Sequence, residues 1–216
     1  MHIPDGILPA QVCLGGYGAT GLATWYSLRQ IDRKPNPTEG IPKASLLAAA
    51  FFVASSLHVP LPPTSVHFVL NGLLGAILGY YAFPAILIGL AFQAIVFGHG
   101  GLTTLGINAM IMGIPALIAH HLFQLRDLIP RSRDERWVLG AFAFLAGAVG
   151  LGLAVLIFFG TIVATLPAEI DIVAERGAIL GLMLAHLPLM AIEGMFTAML
   201  ALFLLQVKPE LLESRI

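Results

Sequence analysis

Charged residues are scarce in this sequence, and their scarcity decides the broad class of the protein. Asp, Glu, Lys and Arg make up 11% of the 216 residues, whereas about 25% is usual for a soluble domain. Hydrophobic residues account for 58% of the chain, and the mean hydropathy is +0.90. This composition excludes an ordinary soluble fold and predicts an all-α membrane protein that crosses the bilayer several times.

Several chemical motifs are also missing. A single cysteine, Cys13, excludes a disulfide framework and a cysteine-based zinc site. The chain contains no GxxxxGK[ST] phosphate loop and no HExxH motif, so we expect neither ATP hydrolysis nor zinc-peptidase chemistry from it. Because Met1 precedes a turn rather than a basic segment and an apolar run, we expect no cleaved leader and a free amine on Met1.

Seven apolar stretches are present, and they predict a bundle of about seven transmembrane helices. A spanning helix needs about 20 residues; the second and fourth stretches are shorter, which suggests tilted, extended or half-spanning segments. The stretches cover residues 9–29, 43–58, 66–82, 84–98, 106–125, 137–165 and 177–207. We therefore expect one integral membrane domain, with an N-terminal arm over 1–8, a helical bundle over 9–207 and a tail over 208–216.

The positions of the basic residues predict the orientation. With seven spans, ten of the eleven Lys and Arg residues fall on one side, and Arg176 alone falls on the other. Basic residues concentrate on the cytoplasmic side of membrane proteins. This pattern predicts a cytoplasmic C-terminus and an outer N-terminus. The ten residues are Arg29, Arg33, Lys34, Lys43, Arg126, Arg131, Arg133, Arg136, Lys208 and Arg215.

The N-terminal sequence MHIPDGILP has the chemistry of a metal chelator. The amine of Met1, the backbone nitrogen of His2 and its Nδ1 atom form a five-membered and a six-membered chelate ring with one metal ion. Three nitrogens at the corners of a square suit Ni(II) or Cu(II), and Co(II) can be accommodated. The turn signal Pro4-Asp5-Gly6 folds this arm back towards the bundle.

A histidine from the outer loops is expected to complete the square. The segment HVPLPPTSVHFVLNG joins the second and third stretches, and its three prolines stiffen it. We prefer His67, at the predicted start of the third helix, to His58; Thr64 and Ser65 are expected to cap that helix. His99, in the glycine-rich loop FGHGGLTTLG, is expected beside the site as part of a lid.

Two further polar side chains lie inside the last apolar stretch. His186 and Glu193 are about two turns apart, and ionisable groups within a membrane are candidates for function. A hydrogen-bonded structural role is an equal alternative for them. His120 and His121, near the inner end of the fifth stretch, are expected to pack. The small residues of the first stretch favour helix packing, either inside the bundle or against another subunit.

MHIPDGIL, PPTSVH and FGHGGLTTLG together resemble the CbiM/NikM family of substrate-binding (S) components of energy-coupling-factor (ECF) transporters for cobalt and nickel. The resemblance implies metal ligation by Met1, His2 and His67, and the IPDG form is closer to nickel-type members. Further candidates near the site are Asp5, Ser65, Asn71, His99, His186 and Glu193. The metal is the transported substrate; we expect no cofactor.

The resemblance also implies partners. These are a transmembrane coupling (T) subunit, two cytoplasmic ATPase subunits and, in many systems, a small auxiliary membrane subunit. No nucleic-acid partner is expected, and the implied location is the inner membrane of a bacterial or archaeal cell. Two alternatives stay open: a proton-coupled secondary transporter, for which Glu193 is the single candidate relay group, and an intramembrane metalloenzyme.

Overall fold

A computed structural model describes residues 2–61, 64–129, 135–165 and 172–212. This part of the chain is built of helices and one short hairpin. In chain order, the elements are α1 (Ala10–Asp32), α2 (Ile41–Ser56), β1 (His58–Leu61), β2 (Thr64–His67), α3 (Asn71–Leu78), α4 (Ala82–Phe97), α5 (Leu105–Gln124), α6 (Glu135–Thr165) and α7 (Ile172–Val207). Each of the seven predicted apolar stretches overlaps one of these α-helices.

The third helix is the shortest, and it runs alongside α5 in the same direction. At its start, Asn71 Nδ2 donates a hydrogen bond to the carbonyl of Met112 at 3.3 Å. At its end, a Cβ on Gly79 would lie 3.1 Å from Cε1 of His120. Eight residues rise about 12 Å, so α3 covers less than half of a hydrocarbon core about 30 Å thick.

The chain reverses direction at Gly79, and α4 returns beside α2. Gly79 has φ 62°, a conformation that glycine adopts without a steric penalty. The ring of Phe51 in α2 packs against Gly89, and Gln93 one turn later donates to the carbonyl of Phe52 at 3.3 Å. The half-length segment is therefore α3, rather than the second or fourth stretch that the sequence suggested.

The predicted start of the third helix is wrong. Thr64 and Ser65 lie in β2, which pairs antiparallel with β1 so that His67 faces His58 in the register. The helix begins only at Asn71. The prolines favour extended backbone. The backbone N–H groups of residues 69 and 70 donate hydrogen bonds to the carboxylate of Glu193 and not to a helix. His67 is thus placed by a hairpin, and not by a helix cap.

The prediction of a multi-pass membrane protein is confirmed at the level of class. Four segments of the described chain are long and apolar enough to cross a membrane: Asn71–Phe97, Leu105–Leu128, Glu135–Thr165 and Met183–Val207. The first of these contains the reversal at Gly79. The shorter α2 is also apolar.

Basic side chains and the C-terminal segment meet at one end of the bundle. Lys43 Nζ donates to the carbonyls of Ile77 and Leu211, both at 3.0 Å. Arg126 Nη2 donates to the carbonyl of Leu212 at 2.8 Å. This end lies where α3 and α5 finish, away from the N-terminal arm.

The small residues of α1 divide between two faces. Gly16 packs closely on Ile107 of α5, whereas Gly15, Gly18 and Gly21 have no neighbouring atoms within 4 Å of where a Cβ would lie. Internal packing therefore accounts for Gly16 but leaves the other three glycines on an open face.

Close helix contacts depend on glycine in α6, and this gives a direct test of the packing. A Cβ on Gly150 would lie 2.5 Å from Cα of Gly72, while a Cβ on Gly160 would meet nothing within 4 Å. We expect Gly150→Ala to destabilise the protein by about 1–3 kcal/mol through overpacking. Gly160→Ala, the control in the same helix, should be neutral or slightly stabilising. Thermal unfolding in detergent measures both, and equal melting temperatures would contradict this packing.

Candidate metal-binding site

The N-terminal arm is bound to the start of α5 by its own backbone. Ile3 is fully buried, and its N–H donates to Asn108 Oδ1 at 2.9 Å while its carbonyl accepts from Asn108 Nδ2 at 3.0 Å. The hydroxyl of Thr104 donates to the same carbonyl at 2.7 Å. These three bonds satisfy both backbone groups of Ile3 and hold the neighbouring residue, His2, inside the bundle.

Asp5 fastens the arm a second time, at the N-terminus of α5. Its carboxylate accepts backbone N–H groups from Leu102 at 3.2 Å, Thr103 at 3.0 Å and Thr104 at 3.3 Å, together with the Thr103 hydroxyl. The hydroxyl bond, followed by the backbone bonds, lowers the pKa of Asp5 from its usual value. A carboxylate at a helix N-terminus is favourable because it meets unpaired N–H groups and the positive end of the helix dipole.

The glycine-rich loop between α4 and α5 brings a second histidine to the arm. Helix α4 ends at Gly98 in a left-handed conformation, and the N–H of His99 bonds back to the carbonyl of Gln93 at 3.1 Å. Gly100 has φ 86°, and a Cβ there would lie 3.2 Å from Asn108 Nδ2. Glycine therefore allows the loop to pass close to the arm.

The hairpin supplies a third histidine, and its contacts suggest which nitrogen faces a metal. His67 is buried, and its Nδ1 lies 3.0 Å from the carbonyl of Phe68. A carbonyl only accepts hydrogen bonds, so this contact assigns the proton to Nδ1 and the lone pair to Nε2. Nε2 is therefore the atom through which His67 would bind a metal ion.

The three histidines converge although they are distant in sequence. The ring centroids of His2 and His67 are 5.1 Å apart, those of His2 and His99 4.3 Å, and those of His67 and His99 5.8 Å. One ligand nitrogen from each lies within 4.8 Å of the others. Trans nitrogens on one metal ion are about 4 Å apart, given metal–nitrogen distances of about 2.0–2.1 Å, so small side-chain shifts bring all three within ligand range.

His2 has the properties of a metal ligand. Burial lowers its pKa well below the usual value, and the positive forms of His67 and His99 would lower it further. The ring therefore stays neutral near neutral pH, as ligation requires. Both ring nitrogens are buried and have no hydrogen-bond partner among the described residues. Buried polar atoms without partners are uncommon, and a bound metal ion would satisfy one of them.

Gln93 lies beside the His2 ring. Its amide nitrogen donates to the carbonyl of Phe52 at 3.3 Å and to the hydroxyl of Ser55. Its Oε1 is buried and has no hydrogen-bond partner in the described part of the chain. An acceptor beside the ring suits a neutral His2 that carries one proton, which leaves the lone pair of the other ring nitrogen for a metal ion.

The remaining predicted residues have different positions. Met1 lies outside the described residues, as does the side chain of Ser65. Asn71 donates to the carbonyls of Met112 and Gly150 and accepts the N–H of Gly72, so it anchors α3. His186 lies against the ring of Phe159. The cluster of possible ligands found in the described chain contains neither His186 nor Glu193.

The two histidines at the other end of the bundle pack as predicted. The rings of His120 and His121 contact Tyr80, with centroid distances of 5.1 and 5.8 Å. Tyr80 belongs to the turn that joins α3 to α4.

Sequence reasoning missed three residues that build the site: Thr104, Asn108 and Gln93. They are buried polar side chains within or beside apolar helices. A side-chain amide in an apolar stretch needs a hydrogen-bond partner. The amides of Asn108 in LGINAM and Gln93 in LAFQAI were therefore the available sign of a polar contact inside the bundle. The identity of the partner, the backbone of the arm or the ring of His2, follows only from the folded structure.

Known proteins resemble this chain over most of its length. The sequence model of the CbiM family, described as cobalt uptake substrate-specific transmembrane region, matches residues 2–211. A putative metal transport protein of Haemophilus influenzae is 40% identical over 70% of this chain and 71% of its own length. A putative cobalt transport protein CbiM of Methanococcus voltae is 31% identical, over 99% of this chain and 95% of its own.

The other matches extend to a fused protein and a solved structure. A fused nickel transport protein NikMN of Rhodobacter capsulatus is 34% identical over all of this chain, which spans 65% of the fused protein. The crystal structure of a truncated transition metal transporter superposes with a TM-score of 0.78 at 22% identity, covering 96% of this chain and 99% of that one. This last likeness shows a shared fold.

Proposed function

This chain belongs to the CbiM family of cobalt uptake transmembrane proteins, and from that premise we propose that it captures Ni(II) or Co(II) for an ECF-type uptake system. The single observation that carries the proposal is the convergence of His2, His67 and His99 at the docked N-terminal arm. The relatives are named as metal transport proteins, which supports a role as a transport component rather than as an enzyme. The metal is the substrate, and it is not a resident cofactor.

The proposed ligand set begins with the N-terminal residue. In this proposal the amine of Met1, the backbone nitrogen of His2 and His2 Nδ1 occupy three corners of a square, through one five-membered and one six-membered ring. The unpartnered, neutral ring of His2 supports this arrangement. Square-planar nitrogen ligation suits Ni(II) and disfavours Mg(II) and Ca(II), which prefer oxygen ligands.

His67 is the proposed fourth ligand, through Nε2. Its contact with Phe68 orients the ring, and the hairpin limits its movement. His99 also offers a nitrogen within 4.8 Å of the other ligand atoms, and we assign it a weaker position above the square, where it closes the site from the loop side. A fifth nitrogen of this kind favours Co(II) more than a strict square plane does.

The orientation and assembly are part of the same proposal. The basic end of the bundle, with Lys43, Arg126 and the C-terminal segment, faces the cytoplasm, following the positive-inside rule. The histidine site then opens to the outer face of the inner membrane of a bacterial or archaeal cell. A T subunit, two ATPase subunits and, in some assemblies, a small auxiliary membrane subunit would supply the ATP-driven step that this chain lacks.

The unpacked glycines of α1 support docking to a membrane partner. Gly15, Gly18 and Gly21 lie on an open face of the helix, and small residues allow helices to approach closely in lipid. We propose that the T or auxiliary subunit packs on this face.

Metal titration of the purified full chain tests the proposal. Calorimetry in detergent should show one Ni(II) or Co(II) ion per chain and no heat from Mg(II), because the ligands are nitrogens. The same preparation, stripped of metal with a chelator and dialysed free of the chelator before titration, is the control for adventitious metal. Equal binding of Mg(II), or no binding of either transition metal by chains with a free Met1 amine, would refute metal capture at this site.

A further inference from the structure

The segment between His67 and α3 passes through the interior of the bundle without regular structure. Val69 is fully buried and Leu70 is 7% exposed. Leu70 also has φ 53°, a left-handed conformation that a residue with a Cβ rarely adopts. Such a backbone persists only where the surroundings hold it. The question is what holds this segment, because its position determines that of His67.

Glu193 of α7 is the group that holds it. Its Oε1 accepts the N–H of Val69, and its Oε2 accepts the N–H of Leu70 at 3.0 Å. Glu193 is 1% exposed, and it is the only acidic side chain among the buried described residues. Both oxygens of one side chain are thus committed to two consecutive backbone groups, two and three residues beyond His67.

The other end of the segment is held separately, by α3 and its neighbours. Asn71 bonds to α5 and α6 through the carbonyls of Met112 and Gly150. Residues 69 and 70 therefore depend on α7, while residue 71 depends on α5 and α6. A displacement of α7 relative to α5 and α6 would move the backbone directly behind His67.

We propose that Glu193 is a positioning residue for the metal site, through which α7 sets the place of His67 and hence the affinity for the metal. This inference rests on the proposed function. It assigns Glu193 a role distinct from ligation, since the cluster of possible ligands in the described chain does not contain it. It also provides a physical route for release of the metal towards the cytoplasm. A partner protein that shifts α7 would move the backbone beside His67 without contacting the metal itself.

A double-mutant cycle with nickel affinity as the readout tests this inference. Glu193→Gln keeps the size of the side chain but turns one acceptor into an NH2 donor that faces a backbone N–H. We expect Kd for Ni(II) to rise about 10–100-fold, as is typical when an outer partner of a ligand is lost. In a His67→Ala background, where the chelate of Met1 and His2 still binds, the same substitution should leave Kd unchanged.

Two further variants make the result specific. Thr197→Val lies one turn further along α7 and removes a hydrogen bond to the carbonyl of Glu193 rather than to the segment; its Kd should equal that of the wild type. Glu193→Asp keeps a carboxylate but shortens it by one methylene, so its effect should be smaller than that of Glu193→Gln. It serves as the test variant if the glutamine protein does not fold.

The outcomes separate this inference from the proposed function. Equal losses in the His67 and His67→Ala backgrounds, or no loss in either, would overturn the positioning role while leaving metal capture intact. A His67→Ala protein that binds nickel as tightly as the wild type would overturn both the fourth ligand and this role, and it would do so before Glu193 is changed.

Discussion

Replacing His2 with alanine should raise the Kd for Ni(II) by more than about 100-fold. This exceeds the loss of about 10–100-fold in affinity that is typical when a hydrogen-bond partner of a metal ligand is removed. The substitution removes Nδ1, so the six-membered ring is lost and the N-terminal arm offers only the amine and an amide nitrogen. An amide nitrogen gives up its proton to a metal only when neighbouring ligands already hold the ion. Both chelate rings therefore fail together, and calorimetry of the purified chain should show no binding at micromolar nickel.

The role of the Met1 amine requires a separate change. A four-residue extension ending in a protease site directly before Met1 should also abolish binding, and cleavage of the extension should restore it. An extension of one residue is unsuitable, because histidine in third place forms another square-planar chelate through two amides. His121→Ala, which removes an exposed imidazole at the other end of the bundle, is the matched control. Nickel binding that survives both the His2→Ala substitution and the uncleaved extension would show that the N-terminus is not a ligand.

His67→Ala should raise the Kd for Ni(II) by about 100-fold and alter the colour of the nickel complex. Water would replace the fourth nitrogen in the plane, and its weaker ligand field shifts the visible absorption of Ni(II) to longer wavelength. His99→Ala should cost about tenfold or less, because a position above the plane binds Ni(II) weakly. Absorption spectra and calorimetry on the same samples measure both effects.

The changes in Kd caused by His67→Ala and His99→Ala decide which of the two histidines lies in the plane of the other ligands. A His99→Ala loss that exceeds the His67→Ala loss would place His99 in the plane and His67 outside it. Cobalt provides a second comparison, since Co(II) accepts a fifth ligand readily. We therefore expect His99→Ala to weaken cobalt binding more than nickel binding. If His99→Ala raised the Kd for cobalt and the Kd for nickel by the same factor, the position of His99 above the plane would be contradicted.

The helical part of the fold followed from the sequence because it depends on local properties. The apolar stretches overlap the α-helices of the described chain, as burial in lipid requires long runs without charge. The stretch over 66–82 was misjudged because hydropathy does not distinguish a spanning helix from an extended segment followed by a half helix. The reversal at Gly79 and the hydrogen bonds that Glu193 accepts from Val69 and Leu70 decide that difference, and both depend on neighbouring helices.

What the sequence by itself determined was the membrane class and the family, and it predicted His2 and His67 as metal ligands, since apolar runs and the chelate rings at His2 are properties of consecutive residues. The tertiary structure alone decided which side chains surround them. The hydrogen bond that Ile3 donates to Asn108 joins residues 105 positions apart, and the one that Val69 donates to Glu193 joins residues 124 positions apart. No local sequence pattern specifies such pairs, because a buried amide or carboxylate requires a hydrogen-bond partner but does not determine which residue supplies it.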